Sequence, residues 1–531
     1  MRTFRGSWSL AGLAAGLAGI ATSYFVAMAM TIRESPVVAV AELVIRITPG
    51  WLAEYLIGLV GHLDKPLLVL GIFVVLGVVF AWAGRLARRL WWAPPVVYAV
   101  LALVAAAAVG VQRGATTIDQ VPVAVGFVTW LVALSLLTEP LRTAELGDVP
   151  TAPSDGGVDR LEPVALPPAD AEPRGRSAHN RRVFLVRAGI IAAGAAVLGA
   201  TGRVVGRGRR HVEESRRLLR LTQVTEPRVP AAARIGLEGV SPWQTGSEEF
   251  YRIHTALVVP AIEPKNWSLR IHGMVDREIT LSYADLVDRK FTEAWITLNC
   301  VSNPVGGDLI GNAWWSGVRL ADILAQAGVQ EGADAVLQTS DDGWTCGTPL
   351  AALTDDRNAM LAVAMNGSPL PIEHGFPVRT VVPGLYGYVS ACKWVVDMEV
   401  TRFADFTAYW TERGWGERGP VKMSSRIDVP RSGQDVPSGA VTFGGVAWSQ
   451  HTGIQGVEFS VDGGPWNTAE IAAVPTPDTW VQWKGVAEVP QGDHVVRVRA
   501  IDRDGQVQTG VDQDVLPDGA TGWHASDFTC S

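Results

Sequence analysis

Cysteine is scarce in this chain. Cys300, Cys346, Cys392 and Cys530 are the only four in 531 residues, and none stands in a CxxC or CxxCH pattern. That spacing excludes zinc ribbons, thioredoxin-like dithiols and c-type haem attachment. A disulfide between Cys346 and Cys392 stays open if both face an oxidising compartment. Charge is scarce as well, at 18% of residues, and the net formal charge of -8 gives no case for nucleic-acid binding. Histidine is rare, and none of the nine falls in a long apolar run. The paired histidines that a spanning b-haem site needs are therefore missing. What the sequence has in quantity is apolar residues, 48% of the total. Low charge with positive mean hydropathy points to a membrane component.

Four uncharged stretches have about the length needed to cross a bilayer: Trp8–Ile32, Pro66–Gly84, Trp91–Gln112 and Gln120–Thr138. A fifth, Val183–Val205, is rich in alanine and glycine and is interrupted by Arg187. Between the first two, Arg33–Lys65 carries Glu42, Arg46, Glu54 and His62 among apolar residues, which predicts amphipathic helix at the interface. Basic clusters fix the orientation. Arg2 and Arg5 precede span one, Arg85–Arg89 follow span two, and Arg174–Arg187 precede span five. Placing all three clusters in the cytoplasm sends everything after about residue 206 outside. The expectation is a multi-pass protein of the bacterial plasma membrane, in contact with lipid, with its C-terminal half extracytoplasmic.

The linker 139–182, with TAPSDGG and LPPADAEPRG, reads as cytoplasmic and disordered. It ends in Arg181-Arg182-Val183-Phe184-Leu185, which looks like a twin-arginine export signal, a route used by proteins that fold around a cofactor before export. No small-x-small cleavage site follows, so the segment reads as a retained anchor.

Domain boundaries follow from the shifts in composition. Residues 1–138 form a four-span membrane domain, 183–205 the fifth span and 206–226 a connector. Residues 227–418 form an α+β domain. WSLRIHGMV, EITLSY and AWITLNC alternate as strands, and Leu320–Ala327 and Ala351–Leu353 suit short helices. Residues 419–531 show short alternating strands such as GVEFSVDGGPW and HVVRVRAIDRDG, which predict an immunoglobulin-like β-sandwich.

Within the α+β domain, Asn299–Trp315 reads NCVSNPVGGDLIGNAWW. Cys300 ends an apolar strand and opens a predicted loop in which Asn303, Gly306, Gly307, Gly311 and Asn312 offer backbone amides that can cradle an oxygen-rich group. A thiolate there suits a transition metal. CVSNPVGGDLIGNAWWSGVRLADIL resembles the cysteine loop of the sulfite oxidase family of molybdopterin oxidoreductases. The resemblance extends to Phe250–Val275 upstream and to Met365–Val395 downstream.

The resemblance implies a molybdenum–molybdopterin cofactor with Cys300 as the single protein ligand to the metal. It implies pterin contacts from Tyr251, Arg252 and His254 of FYRIH, and from Asp341 of TSDDGW. His374 and Arg379 of HGFPVR match the pair that grips the cofactor, and Ser390 and Lys393 of GYVSACKW match the segment that closes on its phosphate. The sandwich resembles the family's dimerisation domain, which implies a homodimer. Three departures stand out. The family's substrate-binding arginines after the cysteine are replaced by Pro304–Gly307, its tyrosine by Val363, and its later arginine is missing from GYVSACK. Arg252 is then the candidate catalytic contact to an anionic substrate.

The resulting expectation is two-electron oxygen-atom transfer on a small substrate, sulfite-oxidase-like or sulfoxide-reductase-like, with a quinone or a cytochrome as electron carrier. The competing expectation is a cofactor-free membrane receptor or adhesion protein that binds through its sandwich.

Overall fold

The computed structural model describes residues 4–30, 32, 34–60, 63–112, 115–146, 174–205 and 208–531. Arg2, Arg33, His62 and the linker core 147–173 lie outside them. The chain divides into two compact units, 1–209 and 210–531.

The first unit is helical: α1 (Phe4–Ala29), α2 (Pro36–Ile47), α3 (Gly50–Val60), α4 (Asp64–Leu86), α5 (Ala93–Gly110), α6 (Val121–Leu146) and α7 (Arg174–Val205). Among the described residues five helical stretches are long and apolar enough to cross a membrane: Gly6–Ala29, Asp64–Leu86, Ala93–Gly110, Thr117–Thr143 and Arg182–Arg203. Each coincides with one of the apolar segments read from sequence, with its ends shifted by a few residues. The segment between the first two is a pair of helices broken at Pro49, of 12 and 11 residues, and neither is long enough to span.

Small residues let the long helices approach closely. Gly12 of α1 meets Gly84 of α4 where a β-carbon on Gly12 would fall 2.0 Å from the Phe80 carbonyl oxygen. Phe80, Tyr98 and Trp130 pack ring to ring, and Trp130 Nε1 donates to Gly16 O at 3.0 Å. The arginine that interrupts the fifth segment is answered on α6: Arg187 pairs with Glu139 at 2.7 Å. α6 runs on to Leu146 and α7 begins at Arg174, so helix enters both ends of the stretch that composition reads as disordered.

Most of α8 (Gly208–Leu218), a helix where sequence suggested a connector, belongs to the second unit. Glu213 pairs with Arg216 at 2.7 Å and Arg217 at 2.9 Å across its turns, and Val212 is buried. Then follow β1 (Ser268–Gly273), β2 (Ile279–Ser282), α9 (Tyr283–Val287), β3 (Thr292–Asn299), β4 (Ile310–Arg319) and α10 (Leu320–Ala327). Next come β5 (Ala335–Ser340), β6 (Thr345–Pro349), α11 (Leu350–Thr354), β7 (Met360–Met365), β8 (Ser368–Pro369), β9 (Arg379–Val381), α12 (Gly387–Ser390) and β10 (Val395–Thr401). They build two sheets, ordered β2-β1-β10-β5-β6 and β3-β4-β7-β8, with β9 paired to β7. The helices pack between and around them, so this region is α+β. α10 ends where Gly328 adopts φ +72°, the left-handed turn that stops a helix.

The last strands are β11 (Ser424–Val429), β12 (Gln434–Val436), β13 (Gly439–Trp448), β14 (Ile454–Val461), β15 (Asn467–Thr468), β16 (Glu470–Ile471), β17 (Val481–Val489), β18 (Gly492–Asp502) and β19 (Ala525–Cys530). They form a sandwich of two sheets, β11-β13-β17-β16 and β12-β19-β18-β14-β15, closed over Phe443, Phe459, Trp483 and Phe528. The sandwich is bonded to the α+β region at β3: Thr297 N donates to Asp478 O at 2.9 Å, and Trp480 N to Thr297 Oγ1 at 2.9 Å. That joint holds the sandwich against the strand that leads into Cys300.

Candidate active site

β3 and β4 are antiparallel neighbours, and the chain between them, 300–309, is the Cys300 loop. The loop is shorter than the glycine pattern suggested. Gly311 and Asn312 lie in β4, in register with Leu298 and Thr297, so their amides do not line a cradle. Asn312 N donates to Thr245 Oγ1 at 3.1 Å, and its buried side chain bonds Trp243 O and Thr297. Gly311 instead makes room for the ring of Phe250, 2.7 Å from where its β-carbon would stand.

The loop proper is held from within and from the sandwich. Cys300 N donates to Leu309 O at 3.0 Å, Asn303 N to Cys300 O at 3.1 Å, and Leu309 N to Asn303 Oδ1 at 2.9 Å. From β11, Arg426 Nη1 donates to Gly307 O at 2.8 Å. Gly306, at φ +78°, lies under His524, whose Nδ1 accepts from Ile427 N at 2.9 Å. Arg426 and His524 belong to this site, and no motif in the sequence pointed to them.

Cys300 is buried. Burial pushes its thiol up, while donors on Ser302 and the charge of Lys393 pull it down. Tyr251 stacks on Phe250 at 5.2 Å, and its hydroxyl is raised by burial and by the nearby Cys300 sulfur, against the pull of Arg379. Gly387 of α12 closes the same corner: a β-carbon there would stand 3.8 Å from Tyr251 Oη and 3.9 Å from Asn299 O.

Three ionisable groups of the HGFPVR and GYVSACKW segments converge behind the cysteine. Arg379 is 3% exposed and, among the described residues, bonds only main-chain carbonyls, of His374 and Thr380, with Trp315 5.1 Å from its guanidinium. Its pKa falls to about 10 through burial. Lys393 Nζ donates to Glu373 O at 2.9 Å. His374 Nε2 lies 2.9 Å from Ser247 O, which makes it the N–H donor and leaves Nδ1 an acceptor. That Nδ1 is buried and has no hydrogen-bond partner among the described residues. Burial, then Lys393 and Arg379, bring the His374 pKa down to about 3, so the ring is neutral.

The remaining expected residues are more dispersed. His254 packs edge-on against Trp394 at 5.9 Å, and Asp341 N donates to Trp394 O at 2.9 Å, which brings both beside Lys393. Arg252 is exposed, and its Nη2 donates to Glu248 O at 2.8 Å. Ser390 is fully buried, with its hydroxyl facing the carbonyls of Tyr386 and Leu385 at 2.9 and 3.2 Å, inside α12 and its cap. Val363 lies in the hydrophobic core. Cys346 and Cys392 are buried free thiols in mutual contact.

A buried guanidinium without a carboxylate calls for an anion, and an orphaned buried imidazole nitrogen calls for a donor. A phosphate-bearing pterin supplies both, and a buried thiol beside them suits its metal.

Comparison with known proteins agrees with this chemistry. Residues 256–410 match the family described as the oxidoreductase molybdopterin binding domain. The uncharacterized oxidoreductase YuiH of Bacillus subtilis (strain 168) is 35% identical over 188 residues, 35% of this chain and 91% of the relative. Sulfite oxidase of Gallus gallus is 30% identical over 49% of this chain and 67% of its own length. The chain belongs to the sulfite oxidase family of molybdenum-cofactor oxidoreductases. Mitochondrial sulfite oxidase of Homo sapiens is 31% identical over 49% of this chain, and the chain spans 56% of that enzyme. Among solved structures, the sulfane dehydrogenase SoxCD from Paracoccus pantotrophus matches 56% of this chain and 82% of its own at a TM-score of 0.44 and 23% identity. The helices of the first unit fall outside the matched domain.

Proposed function

We propose that this protein is a membrane-anchored oxidoreductase whose second unit faces the extracytoplasmic side and moves an oxygen atom, with two electrons, to or from a small substrate. The observation that supports it most is the uncompensated Arg379 beside the orphaned Nδ1 of His374, both behind Cys300. When bound, the molybdenum–molybdopterin group supplies the two-electron redox chemistry. The protein supplies a ligand, charge and shape. Cys300 holds the metal as thiolate. Arg379 and Lys393 hold the phosphate, with Ser390 shaping α12 beneath them through main-chain bonds. His374, Tyr251, His254 and Asp341 contact the pterin, and Arg252 stands at the exposed mouth where substrate arrives. Tyr251 and the loop under Arg426 and His524 exclude water from the metal's protein ligand.

The division read from sequence accompanies this proposal: a membrane domain to residue 138, a cytoplasmic linker to 182, an exported fifth span, a catalytic domain at 227–418 and an immunoglobulin-like dimerisation domain at 419–531. A quinone or a cytochrome then takes or gives the electrons.

Metal analysis of the purified chain tests the core of the proposal. Near-stoichiometric molybdenum in the wild type, lost in Cys300→Ser, is expected. A wild type free of molybdenum after expression with cofactor biosynthesis intact would sink it. For sidedness, Arg181→Lys with Arg182→Lys should trap the second unit inside. Unchanged accessibility to external protease would refute the export signal.

A further inference from the structure

We propose that Gln338 is a positioning residue for the cofactor: through the hydroxyls of Thr348 and Thr380 it fixes the main chain that carries Arg379 and Lys393. The inference rests on the reading above, in which those two cations hold the phosphate.

Gln338 stands on β5 and is fully buried, as are Thr348 on β6 and Thr380 on β9. β5 and β6 belong to one sheet and β9 pairs with β7 of the other, so the three side chains bridge the two sheets. Thr348 Oγ1 donates to Val389 O, which uses its one hydrogen. It must therefore accept from Gln338 Nε2, at 2.7 Å, and this orients the amide. The other end, Gln338 Oε1, then faces Thr380 Oγ1 at 2.8 Å. Thr380 Oγ1 also lies 2.9 Å from Ser390 O and accepts from Cys392 N at 2.8 Å, while Thr380 N donates to Cys392 O at 3.0 Å. Val389, Ser390 and Cys392 are thus tied to Gln338 through two hydroxyls.

Arg379 precedes Thr380, Lys393 follows Cys392, and the two face each other as an isolated antiparallel bridge. Two like charges held together repel, and that repulsion would part the two segments unless their main chains are fixed. A site whose cations already stand in place loses less binding energy to ordering them. Stability alone does not call for an amide here. Without Gln338, each threonine hydroxyl would still have a main-chain acceptor, Val389 O for Thr348 and Ser390 O for Thr380. An apolar side chain of the same shape would therefore leave neither hydroxyl hydrogen without an acceptor. What the amide adds is a fixed distance between the sheets.

The test uses the full-length, detergent-solubilised holoenzyme. Release of molybdopterin is followed by the fluorescence of the oxidised pterin in the filtrate, and thermal unfolding is measured on the cofactor-free chain. Gln338→Met should unfold close to the wild type yet release the pterin about 5-fold faster, the effect of one buried hydrogen bond. Thr380→Val should also speed release, and Thr380→Ser, which keeps the hydroxyl, should restore the wild-type rate. Ile323→Val, in the buried core of α10 outside the network, shows how much release follows from lost stability alone. If the wild type is loaded and Gln338→Met releases pterin no faster than Ile323→Val, the positioning role alone is overturned. A Thr380→Ser enzyme that releases as fast as Thr380→Val overturns it too. A wild type that binds no molybdopterin after expression with cofactor biosynthesis intact overturns the functional reading on which the role rests.

Discussion

The guanidinium of Arg426 donates to the main-chain carbonyl of Gly307 at 2.8 Å, so the sandwich grips the loop that carries Cys300. The same side chain bonds Asp428 Oδ1 at 2.7 Å and Ser241 Oγ at 2.7 Å, and both charged partners are about 10% exposed. Removing one member of a buried pair leaves the other uncompensated, at about 3–5 kcal/mol. Arg426→Met should therefore lower the unfolding free energy by that order and loosen the cofactor, seen as lost molybdenum after gel filtration. Arg426→Lys keeps the charge beside Asp428 but cannot reach all three partners, and should recover stability more than molybdenum retention. Equal recovery of both would show that the loop contact does not matter.

His374 gives an acid-side signature. Its pKa falls from 6.5 to about 3 in the fold, because burial and the neighbouring cations disfavour the charged ring. Between those values the unfolded chain binds the extra proton, so stability rises with pH, by up to about 1.4 kcal/mol per pH unit for one group. The contribution is complete above the unfolded value and lost as pH falls toward 3. His374→Gln should flatten the dependence of unfolding midpoint on pH between 4 and 6 in the cofactor-free protein. A slope equal to that of the wild type would refute a neutral buried ring.

The residues that gather behind Cys300 were legible as a group because they sit in contiguous motifs: Tyr251 to His254, His374 to Arg379, Ser390 to Lys393. The helix Leu320–Ala327 was legible from its apolar period and its terminal glycine. Glycine and asparagine density misled at Gly311 and Asn312. There, glycine yields space to Phe250 and asparagine bonds neighbouring chain, and neither makes a turn. The contacts from the sandwich were not legible. Gly307 and Arg426 are 119 residues apart, and Lys422 and Trp448 come beside Asn299 and Asn303 only because the sandwich docks on β3. No local pattern announces a contact made by docking. α8 escaped as well: 206–226 read as a connector, and the pairing of Glu213 with Arg216 and Arg217 shows only in the folded helix.

Arg379 separates a cofactor anchor from a structural arginine. Without bound anion its buried charge meets, among the described residues, only carbonyl oxygens and the face of Trp315. Arg379→Met keeps the length and the contact with Trp315 and removes the desolvation penalty. The cofactor-free variant should unfold at or above the wild-type temperature, while its molybdopterin content falls at least 10-fold, the effect of about 1.4 kcal/mol or more in binding. A variant that unfolds earlier and still retains cofactor would make Arg379 a framework residue.

In the first unit the contact between α1 and α4 depends on two glycines. A β-carbon on Gly84 would fall 2.1 Å from Trp8 O and 2.8 Å from Gly12 N. These are backbone atoms that no rotamer change can move aside, so the helices would have to separate. Separation would also open the contact of Phe80 with Tyr98 and Trp130. Gly84→Leu should lower the thermal stability of the detergent-solubilised first unit, followed by accessibility of a cysteine introduced at Ala83, which is buried in the wild type. Gly71, also on α4, has open space where a β-carbon would go, and Gly71→Leu should leave both readouts unchanged. If the two variants behave alike, close packing of α1 on α4 is not what holds the bundle together.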